Sequence, residues 1–402
     1  MDGTGAAIEH VDKKVLAKSL WRLPLALANI APKDAAVPSV VELTKYLTGM
    51  HKNYEVMGTE NLPAAGPVCL LPTHYALFDP FQVGIAAYCS TGRITSFMMR
   101  DDFFGMFGPY LNSIFEKYLD AVIFRRNTST RTQAEGAMGK AQADLAARLD
   151  QGNAIAFYPQ GTRSRTGDPF ELYIRDKERG YPDEGRRIRM MALRTQNFLS
   201  QIDHRTTLVP TWISCMDDKG QVVFGKPSEY EKAGRKHDIK LLEELIREQP
   251  RLQQIGMEQV VAGYFHEYEK RRQRHDGTIP KESIYQSGIK VSVAIADILK
   301  AYEELGSEGL NMKPVPEQSL KEKVELQLQD YKRRGVLTVP RGEMVTLKLD
   351  TERPMPQPSR LKKEMPDLYL YNQAKAIPEF AEAYDPVFPR QFIPQILPAG
   401  SR

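Results

Sequence analysis

The sequence has few cysteines and only a mild excess of charge. Its 402 residues include three cysteines, Cys69, Cys89 and Cys215, which stand far apart in the chain. Thiols so few and so scattered exclude a disulfide framework and a cysteine-based zinc site, and they favour a reducing compartment. The net charge of +4 does not by itself indicate a nucleic-acid partner.

Long apolar segments are also missing. The N-terminal residues have no basic head followed by an apolar core, so we expect no signal peptide. The longest stretch without Lys, Arg, Asp or Glu before Asp79 starts at Leu62, and three prolines interrupt it. Such a stretch cannot form a smooth membrane-spanning helix. We therefore expect a cytoplasmic, soluble protein, with a peripheral position on a membrane surface left open.

The remaining composition is that of an ordinary globular protein, with 42% hydrophobic and 26% charged residues. We predict a helical element over residues 1–50, an α/β domain over 51–230 and a helical extension over 231–310. Residues 311–402 carry 12 of the 27 prolines. We predict a small α+β piece there, reading as a helix, a turn and two strands, followed by an extended proline-rich arm.

Short apolar runs alternate with helical patterns in the central region. The predicted strands are Val68–Leu71, Ala121–Phe124, Ala154–Tyr158 and Thr207–Ile213. A helix over residues 132–149, closed by Gly152, is typical of the segments between them. This alternation predicts an α/β fold with a mostly parallel sheet flanked by helices.

The stretch "VCLLPTHYALFDP" places one His and one Asp in apolar surroundings. In a continuous helix, residues five apart would point about 140° away from each other and would not meet. The apolar run instead indicates a buried strand that ends at Pro72, and Asp79-Pro80 indicates a helix start with Asp79 as N-cap. His74 then lies in a strand-to-helix turn, where it can fold back onto Asp79.

Three further strands carry unusual residues at or near their ends. Arg125 and Arg126 follow the second strand, residues 161–165 ("GTRSR") follow the third, and Pro210 is expected to break the fourth. Ligands of open α/β sheets bind outside the carboxyl ends of the strands. Loop amides and guanidinium groups suit a phosphate, and a His beside a carboxylate suits a general base.

These segments together resemble the motifs of the glycerol-3-phosphate and 1-acylglycerol-3-phosphate (lysophosphatidate) acyltransferase superfamily. "THYALFDP" resembles its H-x4-D motif, and "DAVIFRRN", "YPQGTRSRTG" and "LVPTW" resemble its second, third and fourth motifs. The resemblance implies that His74 deprotonates the acceptor hydroxyl and that Asp79 orients His74. It also implies that Arg126 and Arg163 hold the acceptor phosphate.

The resemblance assigns roles to the other residues of these segments as well. Gly161 and Thr162 would shape the phosphate loop, and Pro210 would help to form the acyl-donor pocket. Arg125 and Arg165 either add to the phosphate site or face water. The basic run "RRIRMMALR" is interpreted as a solvated helix face, with attraction of anionic lipid or an acidic carrier protein as the alternative.

One position departs from the family pattern. Gln160 stands where the family usually has Glu, and an amide can hydrogen-bond a hydroxyl but brings no negative charge. This departure leaves the identity of the acceptor open more than the class of reaction.

The expected activity is O-acyl transfer from acyl-CoA or acyl-carrier protein to a glycerol-phosphate-type acceptor, first 1-acylglycerol-3-phosphate, in phospholipid biosynthesis. Glycerol-3-phosphate as the acceptor is one alternative, and a catalytically silent lipid- or thioester-binding protein is another. We expect no metal, no cofactor besides the thioester co-substrate, and no nucleic-acid partner. A winged-helix-like nucleic-acid module over residues 317–350 is a further alternative that rests on pattern alone.

Overall fold

The chain forms two compact units. The structure, a computed structural model, describes residues 6–7, 32–48, 50, 53–103, 108–124, 131–172, 182–216, 219–275, 289–338, 346–349, 356–357 and 360–388. The first unit comprises Met1–Ser164 and Phe170–Gln253. The second comprises Arg165–Pro169 and Gln254–Arg402. Within the described residues, no helix has both the length and the apolar character needed to cross a membrane.

A mixed, mostly parallel sheet forms the centre of the first unit. Its strands are β1 (Ala6–Ala7), β2 (Asn53–Met57), β3 (Val68–Pro72), β4 (Thr95–Arg100), β5 (Val122–Phe124), β6 (Ala154–Ala156), β7 (Thr206–Met216), β8 (Lys219–Phe224) and β9 (Ser228–Tyr230). Their order is β1-β2-β8-β7-β3-β6-β4-β5, and β9 pairs with β7. The predicted α/β fold class is confirmed, although β2, β4, β8 and β9 were not predicted.

Helices flank this sheet. They are α1 (Lys33–Leu47), α2 (Asp79–Thr91), α3 (Gly108–Tyr118), α4 (Arg131–Asp150), α5 (Glu184–Leu199) and α6 (Arg235–Glu248). The apolar faces of α1, α2 and α3 pack with the strands into one buried core, in which Phe81 contacts the rings of Phe97 and Phe115. Burial of this apolar surface is the main stabilising contribution.

Pairing in the centre of the sheet sets the position of the strand ends. Strand β3 lies between β7 and β6 and runs parallel to both, while β4 lies parallel to β6 and β5. The carboxyl ends of these strands therefore meet at one edge of the sheet. Strand β3 is buried at all five positions. Because parallel strands buried on both faces have continuous apolar sequences, this burial explains the apolar run of β3.

Pro210 does not break its strand, so that expectation is wrong. Strand β7 pairs with β9 up to Leu208 and with β8 from Thr211 onward. Pro210 lies between these two antiparallel partners, and its carbonyl accepts a hydrogen bond from the Gly225 amide (2.8 Å). Its missing N–H thus falls in a gap of the ladder, where a proline removes no strand-to-strand bond.

The second unit is mostly helical. Its helices are α7 (Met257–His275), α8 (Val291–Ser307), α9 (Glu317–Arg333), α10 (Leu361–Glu364), α11 (Pro366–Ala374) and α12 (Pro378–Glu382). A small antiparallel sheet has the order β10 (Ile289–Lys290), β12 (Thr346–Leu349) and β11 (Leu337–Thr338). The helices enclose a separate core, which includes Val260, Ile298 and Tyr384.

Two expectations about the ends of the chain need correction. Residues 361–382 do not form an extended arm, because α10, α11 and α12 lie there. Pro366 and Pro378 occupy the first turns of α11 and α12, where the missing N–H of proline costs no helical bond. At the other end, Ala6–Ala7 forms a strand that pairs with β2, and the predicted helix around residues 13–31 lies outside the described residues.

Candidate active site

His74 and Asp79 form a close pair at the carboxyl end of β3. His74 Nδ1 lies 3.1 Å from Asp79 Oδ2. The His74 side chain is 17% exposed and that of Asp79 is 1% exposed. The predicted turn geometry is therefore present, since β3 ends at Pro72 and α2 begins at Asp79.

Asp79 is not the N-cap of α2, which corrects the expectation by one residue. The N-cap is Phe78, and the helix receives no side-chain cap. The Asp79 carboxylate turns back instead, and its Oδ2 accepts hydrogen bonds from the backbone N–H groups of Tyr75 (2.5 Å) and Ala76 (2.8 Å). Three donors, counting His74, converge on one oxygen, an arrangement that suits a carboxylate and fixes the imidazole.

Gln160 ties the loop after β6 to the turn after β3. Its side chain is fully buried, and its Oε1 accepts a hydrogen bond of 2.6 Å from the backbone N–H of His74. Four residues further, the Ser164 N–H donates to the His74 carbonyl (2.6 Å). His74 is thus held on both sides of its peptide unit by the "YPQGTRS" segment.

Gly161 occupies a position that requires glycine. Its φ of +64° lies in the left-handed region, and its N–H closes a tight turn onto the Tyr158 carbonyl (3.0 Å). An added Cβ would lie 3.0 Å from Arg194 Nη1. The backbone conformation therefore strains any other residue at Gly161, and an added side chain would also require the guanidinium of Arg194 to shift.

Arg194 reaches this turn from α5. Its Nη1 donates a hydrogen bond of 2.6 Å to the Gln160 carbonyl, and burial lowers the pKa of the guanidinium. The sequence placed Arg194 on a solvated basic face, and that interpretation is wrong for this residue. The helical pattern does not show whether a basic side chain faces water or turns inward. Arg194 turns inward and bonds to a residue that lies 34 positions earlier in the chain.

Tyr158 is a second residue that the sequence did not single out. Its ring lies 4.7 Å from the imidazole of His74, centroid to centroid. Burial and the charge of Asp79 raise the pKa of Tyr158 well above its ordinary value. Among the described residues, its buried hydroxyl has no hydrogen-bond partner. The sequence signal that could have identified Tyr158 as a site residue is its position two residues before Gln160.

The other predicted residues are distributed as follows. Thr162 is half-buried and Arg163 is exposed, both directly after Gly161. Pro210 is buried and is paired in register with Leu71 of β3.

The remaining predicted residues are three arginines. Arg165 is exposed and belongs to the segment assigned to the second unit. Arg125 and Arg126 lie outside the described residues.

The comparison with protein families covers the part of the chain that forms this site. A family model described as Acyltransferase matches residues 53–214, which span β2 to β7 and contain His74, Asp79 and Gln160. No curated protein sequence matches the chain. Residues 53–214 are therefore similar to the acyltransferase family of the glycerolipid acyltransferase superfamily, and this match supports an acyltransferase enzyme.

Proposed function

We propose that this acyltransferase moves a fatty acyl group from an acyl thioester to the free hydroxyl of 1-acylglycerol-3-phosphate, which yields phosphatidic acid. The observation that carries the proposal is the His74–Asp79 pair at the end of β3. The "YPQGTRS" segment, with its exposed Arg163, is bonded directly to that pair through Gln160.

His74 is the proposed general base. Asp79 accepts a hydrogen bond from Nδ1 of His74. This bond holds the ring proton on Nδ1 and leaves the Nε2 lone pair to accept the hydroxyl proton. The two backbone N–H groups on Asp79 keep its carboxylate in place. Among the described residues, no group bonds to Nε2.

The proposed reaction proceeds by direct attack. The acceptor oxygen forms a bond to the thioester carbonyl carbon as His74 Nε2 takes the hydroxyl proton. The resulting tetrahedral intermediate collapses with cleavage of the carbon–sulfur bond. The imidazolium then returns the proton to the leaving thiolate, so that an ester and a free thiol are the products.

The phosphate of the acceptor would be held by basic side chains near His74. Arg163 is exposed two residues after Gly161, and the family resemblance adds Arg126. Guanidinium groups bind phosphate in a bidentate way. Fixing the phosphate places the reacting hydroxyl at Nε2, which is mainly an orientation effect.

An acyl chain on the acceptor has an apolar residue to contact near the base. Leu77, three residues after His74 in the same turn, is 40% exposed. The acyl chain of a lipid acceptor would contact this side chain, and glycerol-3-phosphate has no acyl chain to do so.

The test is a thiol-release assay with purified protein. Palmitoyl-CoA is supplied with 1-acylglycerol-3-phosphate or with glycerol-3-phosphate, and palmitoyl-carrier protein replaces the CoA ester in a parallel series. We expect release that depends on 1-acylglycerol-3-phosphate and that is lost in His74→Ala. His204→Ala is the matched control, because His204 is 67% exposed and pairs with Asp150 away from this turn.

The outcomes separate the alternatives. Release of thiol that depends only on glycerol-3-phosphate would identify glycerol-3-phosphate as the acceptor. Absence of release with either acceptor and either donor, in a folded protein that still binds acyl thioester, would favour a silent binding protein and contradict the proposal.

A further inference from the structure

Arg194 differs from the exposed arginines of its helix. Arg186 is exposed, and Arg189 is 64% exposed with Glu243 3.7 Å away. Arg187 donates to the Phe170 carbonyl (3.2 Å). Arg194 is partly buried, and its hydrogen bond to the Gln160 carbonyl engages one of the five N–H donors of a guanidinium.

No negative charge compensates Arg194 in the part of the chain that the structure describes. Its guanidinium donates to a neutral carbonyl, and burial is the cause of its lowered pKa. Partial burial of a cation without a paired anion costs desolvation free energy. An incoming anion would offset that cost, because it would supply the missing charge and accept the remaining N–H donors.

The position of this uncompensated charge is tied to His74. Arg194 bonds to the main chain of Gln160, while the side chain of the same Gln160 bonds to the main chain of His74. Gly161, which leaves room for the guanidinium, follows at once. A continuous hydrogen-bonded connection therefore runs from α5 to the proposed base.

We propose that Arg194 is a further substrate-binding residue, which binds a phosphate monoester of one of the two substrates. The inference rests on the proposed function, because it takes its ligand class from that reaction. The acceptor phosphate and the 3′-phosphate of CoA share this chemistry. A planar guanidinium that presents several donors discriminates such a dianion from a neutral group.

The variants are Arg194→Gln, which removes the charge, and Arg194→Lys, which keeps a charge but loses the planar fork. Arg189→Gln on the exposed face of the same helix is the matched control. We expect Arg194→Gln to raise the KM for 1-acylglycerol-3-phosphate about tenfold to a hundredfold, Arg194→Lys to raise it less, and Arg189→Gln to leave it unchanged.

Two substrate pairs identify the source of the phosphate. The first pair is 1-acylglycerol-3-phosphate against 1-acylglycerol, and the second is palmitoyl-CoA against palmitoyl-dephospho-CoA. If Arg194 binds the acceptor, Arg194→Gln abolishes the preference within the first pair; if it binds CoA, the preference within the second pair is lost. Equal losses with the phosphorylated and unphosphorylated member of both pairs would overturn the proposal and leave Arg194 as a brace of the Gln160 turn.

A binding measurement keeps this proposal separate from the reaction. Inorganic phosphate is added to wild type, Arg194→Gln and Arg189→Gln, and the shift in melting temperature is recorded. We expect phosphate to stabilise wild type and Arg189→Gln but not Arg194→Gln. That result would support the anion site even if no acceptor were acylated. Equal stabilisation of all three proteins would contradict it.

Discussion

The two units each contain a His–Asp pair of similar distance and burial, formed by Nδ1 of His74 in the first and by Nε2 of His266 in the second. His74 lies 3.1 Å from Asp79 in the first unit, and His266 Nε2 lies 3.0 Å from Asp367 Oδ2 in the second. Both aspartates are 1% exposed, and the histidines are 17% and 12% exposed. Distance and burial alone therefore do not tell the two pairs apart.

The surroundings of the two His–Asp pairs distinguish them. His74 and Asp79 lie five residues apart in a turn at the end of a parallel strand, and loop amides, Gln160 and a guanidinium surround that turn. His266 and Asp367 lie 101 residues apart and join α7 to α11.

The surroundings of the second pair are those of a packed helical core. The imidazole of His266 is stacked on Tyr371 at 4.9 Å, and the Tyr371 hydroxyl donates to Glu267 (2.5 Å). We infer that the first pair serves the reaction and the second holds helices together.

The largest expected difference concerns Asp79. Asp79→Asn keeps the shape of the turn but no longer fixes the tautomer of His74 or compensates its positive charge. We expect kcat to fall by about 10²–10⁴-fold with little change in the KM of the acceptor. Steady-state kinetics on 1-acylglycerol-3-phosphate provide the measurement, and an unchanged kcat would show that Asp79 is only structural.

The second prediction concerns the free energy of unfolding. Asp367→Ala leaves His266 without its partner in a buried site, and we expect a loss of about 2–4 kcal/mol with kcat of the folded enzyme retained. Urea unfolding followed by circular dichroism measures the loss. The control is Glu364→Ala, whose exposed pair with Arg360 (3.6 Å) should contribute less than about 1 kcal/mol.

A smaller effect is expected at Tyr158, beside the first pair. Its buried hydroxyl lacks a partner among the described residues, so Tyr158→Phe should raise the free energy of unfolding by up to about 1 kcal/mol. The pKa of Tyr158 is raised, so above pH 10 the unfolded phenol loses its proton before the folded one does. Wild-type stability then falls as the pH rises, and the advantage of Tyr158→Phe should widen between pH 8 and 10.5. Thermal unfolding across that range gives the comparison, and a variant that is less stable at both ends would contradict it.

Local spacing explains what could be predicted from the sequence. The strand that ends at Pro72 and the helix that begins at Asp79 bring His74 and Asp79 together within one turn. The alternation of strands and helices likewise specifies a parallel sheet and gathers the strand ends at one edge. Both features depend on residues that are close in the chain, so they can be predicted from composition and spacing.

Contacts between distant residues could not be predicted in this way. Arg194 meets Gln160 only after α5 has packed, and Asp367 meets His266 only after α11 has packed. Nothing in a single helical pattern tells an inward arginine from a solvated one. The prolines of the C-terminal region were misleading for another reason, because Pro366 and Pro378 start helices rather than prevent them.

The most direct test of this account is acyl transfer from palmitoyl-CoA to 1-acylglycerol-3-phosphate by His74→Ala and His266→Ala, with the melting temperature of each protein recorded. We expect His74→Ala to lose transfer by about 10²–10⁴-fold at an unchanged melting temperature. His266→Ala should melt earlier and keep its kcat while folded. Full transfer by His74→Ala, or its loss in a folded His266→Ala, would contradict the assignment of the first pair to catalysis and of the second to stability.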